Sequence, residues 1–136
     1  MTIKFKYITF KQTGDERGSM TVIQGGDDVD FEIRRLFYIY ATKGNVVRGK
    51  HANRNSKFMI ACVAGSCKVL VDDGYIRKEY TLDKPFEGLY LDKMVWKDMY
   101  DFSEDSVLLV LSSEKYDPDE YIREYDQWKK EVTGGN

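Results

Sequence analysis

Histidine is almost missing from this chain: 136 residues contain one, His51. That scarcity argues against a transition-metal centre built on several imidazoles, which needs three or four ligands. Cysteine is also scarce. Cys62 and Cys67 flank a turn at Ala64-Gly65 and are expected as free, buried thiols. Neither has a histidine in local reach, which speaks against a cysteine nucleophile. No charge sign dominates: 21 cations face 23 anions, for a net charge of -2. Nucleic-acid binding favours a basic face, and an anionic membrane attracts basic clusters, so neither partner is indicated. No apolar run approaches the roughly 20 residues that span a bilayer. The opening MTIKFKYITFKQ alternates polar and apolar residues and has no signal-peptide core, so a cytoplasmic location is expected.

What is abundant is tyrosine. Ten tyrosines lift the aromatic share to 14%, and hydrophobic residues reach 42%. A ring that carries a hydroxyl suits a β-rich protein with a polar pocket or an interface. The length suits one domain, 1–136. Short β-like runs dominate to about residue 112: Phe5–Phe10, Ser19–Gln24, Arg35–Ala41, Val46–Ala52, Lys57–Val63, Lys68–Asp72, Ile76–Leu82, Met94–Tyr100 and Ser106–Leu111. Gly-, Asp- and Asn-rich turns separate them, which predicts an all-β sandwich or barrel. The tail predicts a carboxy-terminal helix over 117–131. Asp117 caps it, Pro118 opens it, and Glu120 stands at capping-box spacing. Tyr121, Ile122, Tyr125 and Trp128 form its apolar stripe, expected to dock on the sheet.

Strand parity places the polar residues, because alternate residues share a face. On that basis His51 and Asn53 share a face, Lys57 goes with Met59 and Ala61, and Tyr38 goes with Leu36 and Tyr40. A barrel interior is then expected to gather His51, Asn53, Lys57 and Tyr38, unless a bulge at Gly49 changes the register.

The segments DERGSMTVI (15–23), FEIRRLFYIY (31–40), RGKHAN (48–53), VDDGYIRKEYTLD (71–83), GLYLDKMVWKDMYDFSEDSVLLVLSSEKYD (88–117) and DEYIREYDQW (119–128) run nearly end to end. In order and spacing they resemble the small cupin-type dTDP-4-keto-6-deoxyglucose 3,4-ketoisomerases of deoxyamino sugar biosynthesis. The resemblance implies a cupin-like jelly-roll barrel and acid/base proton transfer through an enediol, with no cofactor and no metal. It also implies a homodimer, with strand exchange as one form of it. The product would pass to a PLP-dependent aminotransferase. One departure stands out: the family usually shows His-Ala-His where this chain has His51-Ala52-Asn53.

Within that resemblance His51 is the expected base or proton shuttle, since a reference pKa of about 6.5 suits exchange near neutrality. Tyr38 is the expected second proton-transfer group, better as an acid than a base. Arg17, Arg35, Arg48 and Lys57 are candidates for the diphosphate, with Arg17 able instead to reach the sugar and Lys57 to steady an enediolate. Trp96 and Lys97 are candidates for the pocket wall. Asn53 would bond a sugar hydroxyl or orient His51. A cupin 3,5-epimerase on the same substrate and a non-catalytic nucleotide-sugar-binding cupin are the alternative readings.

Overall fold

Alternating side chains need two covered faces, and the chain supplies them by folding two antiparallel sheets against each other. The computed structural model describes residues 4–134; residues 1–3 and 135–136 of the expected domain lie outside the described part. The strands are β1 (Phe5–Thr9), β2 (Lys11–Asp15), β3 (Gly18–Val22), β4 (Arg35–Tyr40), β5 (Arg48–Asn53), β6 (Phe58–Ala64), β7 (Cys67–Asp72), β8 (Arg77–Leu82), β9 (Glu87–Leu91), β10 (Trp96–Tyr100), β11 (Val107–Ser112) and β12 (Tyr121–Ile122). One sheet has the order β1-β9-β6-β11-β4 and the other β12-β5-β10-β7-β8; β2 and β3 form a separate hairpin. This is the expected cupin-like jelly-roll, with facing sheets rather than one continuous closed ladder.

The core lies between the sheets. Phe58, Ile60, Cys62, Leu108 and Val110 meet Cys67, Val69, Val71, Leu82 and Met99. Both cysteines are free thiols within it. The outer face of the first sheet carries a second apolar layer, in which Met59, Ala61 and Leu111 are covered by Phe10, Val29 and Phe31. A third group forms where Trp128 of the carboxy-terminal helix packs on Ala52, Trp96 and Ile122, on the outer face of the second sheet.

The carboxy-terminal helix is shorter than expected. α1 covers Tyr125–Thr133 and ends at Gly134, whose φ of 84° is the left-handed conformation of a helix terminator. Asp117 does cap, and Pro118 does open, but the element they begin is a single 3-10 turn, Pro118–Glu120. Tyr121 and Ile122 then pair with Asn53 and Ala52 as a strand. A tertiary contact stops that first turn from continuing as helix. The carboxylate of Glu120 accepts from the Asn55 and Ser56 backbone N–H groups, each at 2.9 Å, and from Ser56 Oγ at 2.5 Å. Those bonds replace the local capping box.

Candidate active site

β5 and β10 build the centre. His51 is the register partner of Lys97, and Met99 is the partner of Arg48. The register shifts between Lys97 and Asp98, so β5 has one extra residue there. Gly49 (φ 86°) and Lys50 (φ 59°) absorb the bulge. A Cβ on Gly49 would lie 2.8 Å from the Lys97 carbonyl oxygen, so glycine is needed for the close approach. The bulge reverses the parity of β5. Arg48 pairs with inward-facing Met99 and therefore shares the interior side with His51, at the exposed start of the strand. Strict alternation would have separated the two.

Lys97 is the unusual member. Its side chain is buried between apolar neighbours, with Nζ 4.1 Å from the centre of the Phe58 ring and donating to Asn53 Oδ1 at 3.5 Å. Burial lowers its pKa to about 7; the Glu120 carboxylate pulls the other way and Arg35 adds repulsion. Burial also lowers the His51 pKa to about 3, helped by the charges of Lys97 and Arg123 and opposed by Asn53. His51 is thus neutral and in its base form throughout the ordinary pH range. Asn53 is 1% exposed and stands among all of these groups.

An aromatic and cationic rim continues from His51. The Tyr121 ring meets it edge-on at 4.8 Å, and Tyr116 lies 6.0 Å beyond Tyr121. Arg123 stacks over Tyr121 at 4.8 Å, and Arg35 over Tyr116 at 5.7 Å. Arg35 also reaches Ser112 Oγ at 3.4 Å. Three buried polar atoms in this neighbourhood, His51 Nδ1, Asn53 Nδ2 and Arg35 Nε, have no hydrogen-bond partner among the described residues. Unpaired buried donors and acceptors are costly, and a ligand rich in hydroxyl, carbonyl and phosphate oxygens would satisfy them.

The other expected site residues lie elsewhere in the single chain. Tyr38 is 56% exposed on the outer face of β4, 5.8 Å from Tyr40, because Arg35, Phe37 and Ile39 take the inward positions. Lys57 has the parity of Met59, which belongs to the outer apolar layer. Its Nζ pairs with Asp30 at 3.4 Å, and Asp30 also accepts from Tyr90. The interior gathering of Tyr38 and Lys57 with His51 is therefore not found. Trp96 packs outward, 5.6 Å from Trp128, and lines no interior wall. Arg17 sits at the turn of the β2–β3 hairpin, paired with Asp15 at 2.6 Å, in a sheet separate from the one that holds β5 and β10. His51, Asn53, Arg35, Arg48 and Lys97 are the expected residues that do come together.

Sequence reasoning missed Tyr121, Tyr116, Arg123 and Glu120. The stretch KYDPDEYIR reads locally as a helix start, which hid the return of Tyr121 to β5. Among the described residues no group of three or more His, Cys, Asp or Glu is gathered that could hold a metal ion. No described helix is long and apolar enough to cross a membrane.

Comparison with known proteins places the chain among sugar-nucleotide isomerases by sequence and fold. The family described as FdtA: WxcM-like, C-terminal matches residues 3–133. A TDP-4-oxo-6-deoxy-alpha-D-glucose-3,4-oxoisomerase of Aneurinibacillus thermoaerophilus is 46% identical over 128 residues, 94% of this chain and 92% of the relative. The sugar 3,4-ketoisomerase of Thermoanaerobacterium thermosaccharolyticum, solved in complex with TDP, superposes with a TM-score of 0.93 at 36% identity, covering 98% of each chain. A 4-keto-6-deoxy sugar epimerase of Streptomyces spheroides gives a TM-score of 0.75 at 22% identity over 87% of this chain and 67% of its own, a likeness of fold alone.

Proposed function

Because the chain belongs to the FdtA, WxcM-like C-terminal family, we propose that it is a sugar-nucleotide 3,4-ketoisomerase acting on TDP-4-keto-6-deoxyglucose. The observation that carries the chemistry is the neutral His51 facing a buried lysine across one ladder, with unpaired polar atoms around them. His51 takes the proton from C3. The bond pair becomes the C3–C4 double bond, and the C4 oxygen takes the negative charge. Lys97, held opposite, stabilises that charge in a dry interior where a cation acts strongly. A proton then moves from the C3 oxygen to the C4 oxygen, C4 is protonated, and the carbonyl is left at C3. Protons and electrons balance without a redox partner. Asn53 bonds a sugar hydroxyl or orients His51, in the place where the family usually has a second histidine.

The rim suits the diphosphate and the base. Arg35 and Arg48 offer planar forks for phosphate oxygens, and Tyr116 and Tyr121 offer ring faces for thymine. Arg123 joins them. Binding of that anion would also raise the His51 pKa toward a useful value, because it offsets the cations that depress it.

The working unit in this reading is a homodimer with exchanged strands. β4 is a free sheet edge whose outer face exposes Leu36, Tyr38 and Tyr40. Among the described residues the β2–β3 hairpin pairs with no other strand, and all of β2 is exposed. A hairpin laid along the β4 edge of a second copy covers both and carries Arg17 toward that copy's site. It also puts Tyr38 inside the interface. The enzyme works in the cytoplasm, and its 3-keto product passes to a PLP-dependent aminotransferase.

The test is incubation of the protein with TDP-4-keto-6-deoxyglucose in heavy water, followed by NMR. Deuterium arriving with carbonyl migration from C4 to C3 supports isomerisation. Exchange at C3 and C5 with the carbonyl still at C4 means epimerisation, and no change means binding alone; either overturns the reading.

A further inference from the structure

The mechanism above uses a lysine that has been taken out of water. A lone ammonium in such a place tends to lose its proton, which would remove the charge the enediolate needs. The groups that face Lys97 can be named element by element. His51 from β5 is neutral, and Asn53 from β5 gives only an amide oxygen. Phe58 from β6 gives a ring face. Arg35 from β4 is a like charge. Among the described residues the anion that acts on it is Glu120: Asn53, which accepts from Lys97 Nζ, pairs with Tyr121, and Glu120 immediately precedes Tyr121 in the turn before β12.

Glu120 is built to stay an anion. The residue is 2% exposed, and its carboxylate accepts from two backbone N–H groups and one hydroxyl. Donors of that kind hold the pKa below the ordinary value despite the burial. The same bonds fix its position, because the donors sit on the rigid turn between β5 and β6, more than sixty residues away in sequence. Asn53 lies between, its oxygen on Lys97 and its Nδ2 unpartnered.

We propose that Glu120 is the fixed counterion of the site, a positioning residue that acts through Lys97 by favouring its ammonium form opposite His51. It touches neither the sugar nor the reacting atoms. The proposal rests on the isomerase reading for its purpose, but the coupling it asserts exists in the ligand-free protein.

The experiment is a pH titration by NMR of the ligand-free chain, following the lysine side-chain ε-carbons, with the Lys97 signal identified by its loss in Lys97→Met. In Glu120→Gln the Lys97 midpoint is expected to fall by at least about one pH unit. Reciprocity supplies a second arm that does not need that variant to fold: in Lys97→Met the Glu120 carboxyl midpoint should rise by a similar amount. An unchanged midpoint in either arm overturns the proposal. In turnover assays, the alkaline limb of kcat against pH should move down in Glu120→Gln in parallel with the Lys97 midpoint. A purely structural Glu120 would lower kcat without moving the limb, and that result also counts against the proposal. If no variant and no wild type turns over, the isomerase reading fails while the two titrations still decide the coupling.

Discussion

Lys97 and His51 stand as register partners across the β10–β5 ladder, the one buried to 3% exposure and the other carrying a buried, unpaired Nδ1. The Lys97 charge helps to depress the His51 pKa, so below about pH 7 the pair is neutral imidazole against ammonium rather than a conventional ion pair.

Removing the imidazole should stop the chemistry without dissolving the site. His51→Asn is expected to lower kcat by at least about a hundredfold, the usual scale for a lost proton-transfer group. Affinity for TDP should stay within about threefold by calorimetry, because the rim proposed to hold the nucleotide is intact. Retained turnover would return His51 to a packing role.

Because the chain has one histidine, its imidazole resonance can be followed alone. Lys97→Met should raise the His51 midpoint from about 3, yet leave it below 6.5, since burial is the larger cause of the depression. A rise to the free value would mean that the lysine, not burial, dominates.

The same depression makes stability depend on pH. Folded His51 titrates near 3 and an unfolded histidine near 6.5, so between these values the unfolded chain binds more protons. Stability from this group is complete above about 6.5 and is lost as pH falls toward 3. Denaturant unfolding of the wild type and His51→Gln should therefore converge on acidification, by on the order of 3 kcal/mol at pH 4. Parallel curves would show that His51 does not carry the effect.

Most of the sandwich was legible because alternation has a physical cause: one face of each strand is buried. β4, β7 and β11 show it plainly. β2 was invisible because all five of its residues are exposed, leaving nothing to alternate. β9 was hidden because four of its five residues are buried, and a short apolar run has no period. The site was half legible. His51 and Asn53 could be placed by parity, but the bulge at Gly49–Lys50 that brings Arg48 to their side depends on the partner strand. Tyr38 and Lys57 went astray for a related reason: parity groups residues by face but does not say which face looks inward. Glu120 shows the limit from another side. Local sequence makes it a helix-capping acid, whereas backbone donors from Asn55 and Ser56 claim it in the fold.

The rim can be tested apart from the chemistry. Tyr121→Phe retains the ring against His51 and Arg123 and loses only the hydroxyl. It should bind TDP as the wild type does, whereas Tyr121→Ala should weaken binding by roughly tenfold or more, the scale of one lost stacking contact. A large kcat loss in Tyr121→Phe would instead make that hydroxyl a proton donor, the role first expected of Tyr38.

The interface prediction concerns the face that the single chain leaves bare. Leu36, Tyr38 and Tyr40 are 54%, 56% and 66% exposed on one side of β4. In the proposed homodimer, replacing Leu36 and Tyr40 together by Glu should give a monomer at micromolar concentration by sedimentation velocity, because two like charges would sit in an apolar interface. Turnover should fall with dissociation, since Arg17 would then reach no second site. Tyr38→Phe keeps the apolar face and should leave both assembly and turnover near wild type. A dimer that survives the double Glu substitution would place the contact elsewhere, and Arg17→Ala would then be expected to leave turnover unchanged as well.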